Sequence, residues 1–167
     1  MLNKQQSIDP PIKVKIIGVG GGGCNAIAEM ALQHQSGIEY LAVNTDTQAL
    51  RVMDKIPTFA IGPQVTGGLG SGGNAALGRK AIRESQDQVA ELLSGVDMVF
   101  IAAGMGGGTG TGATPVIADI AKKKGILSVG IVTTPFSFEG NQRKTIADQG
   151  LISLGQKVDT LITIDNN

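Results

Sequence analysis

Two glycine runs dominate the chemistry of this chain: Gly18-Val19-Gly20-Gly21-Gly22-Gly23 and Gly104-Met105-Gly106-Gly107-Gly108-Thr109-Gly110-Thr111-Gly112. Each follows a short apolar run and precedes a helical pattern. Backbone without side chains lets consecutive amides turn toward one point, and the helix that follows adds its unpaired N–H groups and the positive end of its dipole. Each junction is therefore a candidate phosphate cradle, and two such cradles in one chain ask for one polyanion. Glycine costs about 0.5 to 1 kcal/mol relative to alanine in a regular element, so runs this dense need a geometric reason. A third glycine-rich stretch, Gly67-Gly68-Leu69-Gly70-Ser71-Gly72-Gly73, lies between them. No G-x-x-x-x-G-K-[ST] sequence occurs and neither of the two runs holds a lysine, so a P-loop ATPase or GTPase is poorly supported.

The elements that must carry these runs alternate in type. Residues 12–17 predict a first strand, which the glycines release into a helix from about Asn25, with Ile27, Met30, Ala31 and His34 on its packing face and Gly37 as its stop. Residues 39–43 predict the second strand. Residues 50–61 are expected to be mostly loop with a short edge element, because Pro57 and Pro63 argue against a central strand. Leu77, Ala81, Val89, Leu92 and Leu93 are core candidates in an amphipathic segment that two helices could share, and residues 97–103 read as a strand buried on both faces.

After the second run comes a helix with Val116, Ile117, Ile120 and Ala121 facing inward and Pro115 near its first turn. Lys122-Lys123-Lys124 and Gly125 suit its C-terminus. Strand 126–133, loop 136–140, helix 141–154 and strand 159–164 complete the pattern. Such alternation predicts an α/β fold, a Rossmann-like doubly wound parallel sheet in three layers with strand order 3-2-1-4-5-6.

With 167 residues, 41% of them hydrophobic, the chain supports one sizeable core rather than two ordinary domains. Residues 12–167 are expected to form that domain, after a loose leader, residues 1–11, that ends in Pro10-Pro11. Fourteen basic and fourteen acidic residues balance to a formal charge of zero. Capture of nucleic acid or an anionic membrane by global charge is thereby not indicated, and a phosphate must be held by local backbone geometry. No apolar run reaches about 18 residues, and the start lacks the basic and apolar segments of a signal peptide, which points to the cytoplasm without direct membrane insertion. The single cysteine, Cys24, forbids an intrachain disulfide; it reads as a small packed side chain rather than a nucleophile, and His34 as a helix-end residue rather than a metal ligand. No metal site is expected in the protein itself.

A G-x-G-x-x-G pattern at residues 18–23 and an acidic residue, Asp46, after the second strand make a nicotinamide-binding oxidoreductase domain a rival reading. The second run favours a different ligand geometry. In a doubly wound sheet the exits of strands one and four flank the point where strand order reverses, and both exits here carry phosphate-type loops, so the phosphates would be wrapped from two sides.

The segment Gly106-Gly107-Gly108-Thr109-Gly110-Thr111-Gly112 is identical to the GGGTGTG signature of the tubulin/FtsZ GTPase superfamily. Residues 17–25, Val43-Asn44-Thr45-Asp46 with Gln48-Ala49-Leu50, Gly68-Leu69-Gly70, residues 97–114, and Thr134-Pro135-Phe136 with Phe138-Glu139-Gly140 resemble the bacterial cell-division branch of that family. The resemblance runs essentially through residues 12–167. It implies GTP or GDP lying over the C-terminal ends of the strands. Contacts would come from Gly21, Gly22, Gly23 and Asn25, and from Gly104, Gly106, Gly107, Gly108, Thr109, Gly110 and Thr111. Thr109 would donate its hydroxyl to a phosphate oxygen. Asn44 and Asp46 would lie beneath the sugar and phosphates, and Gly70, Ser71, Gly72, Gly73 and Asn74 resemble a loop that senses the γ-phosphate. Pro135, Glu139 and Arg143 resemble the group around the ribose and guanine, and Asn166 the asparagine that approaches the base.

Two positions depart from the family pattern, Cys24 and Asp165, the latter adding negative charge near the base-binding edge. The resemblance also implies an incomplete GTP-binding domain. It would lack the long central helix, the aspartate that grips guanine, the acidic loop and the C-terminal domain. No catalytic residue would lie within the chain. Mg²⁺ would accompany GTP in the complete protein, and hydrolysis would need the acidic loop of an adjacent subunit in a head-to-tail filament at the midcell division ring. Apolar surface would be left for the missing C-terminal portion or another copy.

Overall fold

The computed structural model describes residues 11–33 and 35–167, so the expected leader, apart from Pro11, and His34 lie outside the described residues. β1 (Val14–Val19), rich in β-branched side chains, runs directly into α1 (Gly20–Ala31). Then come β2 (Ile38–Asn44), α2 (Thr47–Arg51), β3 (Thr58–Ala60), α3 (Pro63–Thr66), α4 (Ala75–Glu84), α5 (Gln86–Leu92) and β4 (Met98–Gly104). The chain continues through α6 (Gly108–Lys123), β5 (Leu127–Thr133), a 3-10 turn at Ser137–Glu139, α7 (Asn141–Gly155) and β6 (Thr160–Ile164).

The strands form one parallel sheet in the order β3-β2-β1-β4-β5-β6, the Rossmann-like doubly wound order, with β1 between β2 and β4. Strand alternation sends two sets of side chains to opposite faces. Ile17, Val19, Leu41, Val43, Val99, Ile101 and Val132 pack with Ala81 and Ile82 of α4, Val89 of α5, Ile117 and Ala121 of α6, and Ala147 and Leu154 of α7. On the other face Ile16, Ala42 and Ala102 pack with Cys24 and Ile27 of α1 and with Leu50 and Ile56. Layers of helix on both faces explain why the central strands are nearly continuous apolar runs. On that second face Ile131 and Thr133 of β5 stand opposite Ile162 and Ile164 of β6, and these two isoleucines are 46% and 48% exposed.

Four expectations need correction. The first glycine run is no loop: α1 begins at Gly20 rather than near Asn25, because Gly18 and Gly23 let helix and strands approach to backbone contact. A Cβ at Gly23 would lie 2.2 Å from the Ala102 oxygen. Met30 is solvent-exposed at 39%, and α1 packs through Gly20, Gly23, Cys24 and Ile27, with Ala31 partly buried against the same cluster as expected. Similarly, α6 begins at Gly108, which places Pro115 in the helix interior rather than near the first turn. The price is one intrahelical hydrogen bond that proline cannot donate. The helix from the first run also ends at Ala31, several residues before Gly37, which instead takes φ +88° just before β2.

The turn between α7 and β6 is tied to α6 through Asp119, whose carboxylate accepts from Lys123 of α6 itself at 3.0 Å and from Lys157 of that turn at 3.1 Å. These hydrogen bonds hold its pKa below the ordinary value of 3.8. A depressed carboxylate pKa contributes stability that is complete above the unfolded value and is lost as pH falls through the folded one. Asp119→Asn is therefore expected to be modestly less stable than the parent at pH 7, in keeping with an exposed pair. The gap should close as pH falls below 3.8 in acid-unfolding curves followed by circular dichroism.

Candidate functional site

The carboxyl ends of β1, β2 and β4 open into a cleft of about 320 Å³ lined by Gly20, Gly21 and Gly22 of α1, by Asn44, Thr45 and Asp46 after β2, by Leu69 to Gly72, and by Gly104 and Gly107 to Gly110. This is the crevice at the strand-order reversal where open α/β sheets take ligands. Val19 and Gly107 are the N-cap residues of α1 and α6, and neither side chain caps its helix. The first N–H groups of both helices are thus left for a ligand, and each helix end carries roughly half a positive charge. Among the described residues no lysine or arginine lines the cleft, and Asp46 is the one ionisable side chain that does. An anion here would be held by amides and helix ends, as the balanced composition requires.

The third glycine-rich segment is fastened to the exit of β2. Gly70 N donates to Thr45 O at 3.2 Å, and the Thr47 N–H and hydroxyl donate to Gly68 O at 3.0 and 3.2 Å. Asp46 Oδ1 accepts from Gln48 N and Ala49 N at 3.0 and 3.1 Å, capping α2 and fixing the carboxylate at the rim. Asn44 Oδ1 accepts from Thr45 N at 2.8 Å, so the side chain is turned to hold its own loop. Asn74 caps α4 by accepting from Leu77 N at 3.1 Å, which fixes the far end of the segment.

Thr109 differs from expectation. Its hydroxyl is not a free donor over the cleft: it lies 2.7 Å from Thr45 Oγ1 and 3.1 Å from Ser71 Oγ, and all three residues are buried. Thr111 is likewise engaged, accepting from Gly106 N at 2.9 Å within the turn before α6. Gly23 is buried against Ala102, outside the cleft, and Asn25 stands exposed on α1, also outside it. Gly73 and Asn74 lie beyond the rim.

A second cluster adjoins the cleft on the β5 side. A Cβ at Gly106, which takes φ +99°, would lie 3.1 Å from Arg143 O and 3.3 Å from Pro135 Cγ, so the second glycine run packs on this loop and on α7. Arg143 Nη1 donates to Glu139 Oε1 at 3.0 Å, and the other carboxylate oxygen accepts from Phe136 N. Phe136 and Phe138 stack beside them with centroids 5.0 Å apart, Phe138 being 81% exposed. Asn166 follows β6, where Asp165 accepts from the Thr134 hydroxyl at 3.3 Å and Asn167 accepts from Ser137 N at 2.9 Å. The unexpected Asp165 carboxylate therefore organises the β5 and β6 exits.

Thr45, Ala49 and Leu69 also line the cleft, although nothing in their residue types marks them for it. The available signal for Thr45 is its position between Asn44 and Asp46 at the carboxyl end of a parallel strand. Cys24, as expected, is a packed side chain: burial pushes its thiol up to about 11, and Sγ lies 3.5 Å from Val43 O and 3.6 Å from Gly18 O. A neutral buried thiol of this kind is no nucleophile.

A model of the "Tubulin/FtsZ family, GTPase domain" matches residues 13–167. Cell division protein FtsZ of Buchnera aphidicola subsp. Schizaphis graminum is 53% identical over 154 residues, which cover 92% of this chain and 40% of the relative. That of Pseudomonas aeruginosa is 52% identical over 153 residues, covering 92% and 39%. Among solved structures, an empty FtsZ dimer from M. jannaschii superposes with a TM-score of 0.91 at 42% identity, covering 94% of this chain and 46% of that one. A GTPγS-bound protofilament of CetZ2 from Haloferax volcanii gives a TM-score of 0.83 at 28% identity, covering 93% and 49%. The chain spans about two-fifths of the length of the curated relatives it matches.

Proposed function

Because the chain belongs to the tubulin/FtsZ family, we propose that it is the guanine-nucleotide-binding part of a polymerising cell-division GTPase that works in the cytoplasm at the division ring. The observation that carries this reading is the pair of uncapped helix ends, α1 and α6, which both line a cleft that has no basic side chain among the described residues. Such a cleft suits a chain of phosphates, whose charge the two helix ends and their amides share. Gly21 and Gly22 would meet the phosphates from one side and Gly107 to Gly110 from the other. Gly70 to Gly72 would lie nearest the terminal phosphate. Glu139 and Arg143 would take the ribose and guanine, with Pro135 and Asn166 bordering them. Asn44 and Asp46 would stand below the sugar and phosphates.

No group of three or more His, Cys, Asp or Glu side chains suited to a metal ion exists among the described residues. A single carboxylate, Asp46, fits a Mg²⁺ that arrives held by phosphates and water, the usual arrangement for this cation. When bound, Mg²⁺ neutralises phosphate charge. The chain's own part is to bind and orient: helix amides fix the phosphates, and the uncapped ends favour the charge that develops at the terminal phosphoryl. The attacking water would be polarised by an acidic loop from the next subunit, stacked head to tail over the cleft. The open isoleucines of β6 are a surface for the remainder of a full-length subunit or for another copy.

Competitive titration against a fluorescent GDP tests the ligand class. Displacement by GDP and GTP but not by NAD is expected, and tight NAD binding without competition by guanine nucleotide would overturn the reading. The division of labour predicts no sustained phosphate release from GTP by the chain alone. Release should appear on mixing with a full-length subunit of the family, and steady turnover by the lone chain would contradict it.

Arg143→Ala should lower guanine nucleotide affinity about ten-fold, the worth of one hydrogen bond to a polar or charged group. Its ion pair with Glu139 is exposed, with side chains 55% and 26% accessible, and such pairs contribute only a few tenths of a kcal/mol. Melting temperature should hence barely move. An unchanged affinity would reduce the pair to a surface contact.

A further inference from the structure

The two edges of the sheet are built differently. β3 is three residues long and lies between Pro57 and Pro63, so it is short and flanked by prolines, two devices that blunt an edge. β6, at the other edge, reads Thr160-Leu161-Ile162-Thr163-Ile164, with no proline, glycine or charge. Thr134 N donates to Ile164 O at 3.1 Å, so the backbone of Ile164 faces β5, and by alternation that of Ile162 and Thr160 does too. The N–H and C=O groups of Leu161 and Thr163 therefore point outward, and they have no partner among the described residues.

Apolar side chains flank this open edge on both faces of the sheet. On one face stand the half-exposed Ile162 and Ile164. Above the other face Ile152 of α7 is 67% exposed. Gly150 of the same helix packs on Thr111 of α6, and a residue two further along is turned about 200° from it. Ile152 thus faces away from α6, on the side of the β6 edge. Open backbone with apolar groups above and below it is a template for adding a strand. With one such edge per chain among the described residues, a two-fold pairing uses it up and closes at two copies rather than growing into a fibre.

We propose that two copies of this chain associate by pairing β6 with β6, antiparallel about a two-fold axis, so that two six-stranded sheets become one. An axis perpendicular to the sheet keeps each face on its own side, so facing residues must come from the same face. Centred on Leu161, it would set Thr163 against the partner's Asp159, whose N–H is already given to Ser128. Centred on Ile162, it would set Asp159 against the partner's Asp165, two like charges. Centred on Thr163, it pairs Thr163 with the partner's Thr163 and Ile162 with the partner's Ile164, and every outward N–H and C=O of β6 is used. The formal charge of zero puts no net repulsion between copies. The cleft opens at the ends of β1, β2 and β4, away from this edge, so the pairing does not depend on what occupies it.

Sedimentation equilibrium of the Met1–Asn167 chain tests the pairing. Between about 1 and 300 μM a 17.1 kDa monomer should pass to twice that mass, with the micromolar dissociation constant that suits a contact below about 1,200 Å². A chain that stays monomeric overturns the proposal, as does one that grows past the dimer or associates only when a full-length subunit of the family is added. Thr163→Pro removes an outward N–H while leaving the β5 ladder alone, and Ile162→Lys sets a charge against the partner's Ile164. Each should weaken the dimer at least about ten-fold with circular dichroism unchanged. A dimer that survives both changes lies elsewhere and overturns the proposal; if Thr163→Pro does not fold, Ile162→Lys, at a half-exposed position, decides alone. Amide hydrogen exchange at Leu161 and Thr163 should also slow as the concentration is raised through the transition. Equal exchange at both ends of it would show that the copies meet on another surface.

Discussion

Gly108→Val should lower guanine nucleotide affinity by at least a hundred-fold, about 2.7 kcal/mol, while leaving the sheet intact. Gly108 lies under the third glycine-rich segment, where a Cβ would stand 2.2 Å from Ser71 Oγ, 2.7 Å from Asn74 N and 2.9 Å from Asn74 O. Its φ is not positive, so the need for glycine is one of space rather than of backbone conformation. A β-branched side chain must push the 71–74 segment away, breaking the Ser71–Thr109 contact and occupying the mouth of α6, where the free N–H groups point. That segment is at the surface, so the cost falls on the cleft more than on the core. Titration with fluorescent GDP, paired with far-ultraviolet circular dichroism, reads both consequences. Equal affinity in a folded variant would remove the α6 end from the proposed site.

Gly112→Ala should have the opposite profile, with stability the first thing lost. α4 crosses α6 so closely that a Cβ at residue 112 would lie 2.1 Å from Ala75 O and 2.7 Å from Arg79 N. Backbone cannot yield as the tip of a flexible side chain can, so the two helices must separate. Overpacking of this kind costs about 1 to 3 kcal/mol, and for a domain of this size about 2 to 4 °C of melting temperature per kcal/mol. A fall of roughly 5 to 10 °C is expected. Gly21→Ala is the control: a Cβ there meets nothing within 4 Å, and it should melt within about 2 °C of the parent because alanine is favoured in a helix. A Gly112→Ala protein that melts with the parent would show that the α4–α6 crossing is more yielding than its geometry indicates.

Much of the architecture is legible because its signals are local. Apolar runs of strand length alternate with helical periods, Lys122-Lys123-Lys124-Gly125 marks a helix end, and Pro57 and Pro63 bracket a three-residue edge strand, β3. Helix starts are not legible in the same way. Glycine has poor intrinsic helix propensity, which locates α1 and α6 after their glycine runs, yet close packing on Ala102 and Ala75 draws those glycines into the first turns. The site shows the same split. The two glycine runs and Asp46 announce themselves by type and spacing, whereas the Thr45–Thr109–Ser71 contact joins residues far apart in sequence and has no local pattern. Met30 falls to the opposite error, since its helical spacing from Ile27 fits a packing face that the sheet does not cover.

Guanine nucleotide in the cleft between the α1 and α6 ends should be visible in an amide chemical-shift map of the ¹⁵N-labelled chain titrated with GDP. The largest changes are expected at the amides of Gly20 to Gly22 and Gly107 to Gly110, with a second set at Arg143 and Asn166. The chain has another recess, about 250 Å³, at the far end of the sheet by Ile16, Glu29, Met30 and Tyr40. Changes concentrated there, with the two glycine runs unmoved at saturating GDP, would place the nucleotide outside the cleft.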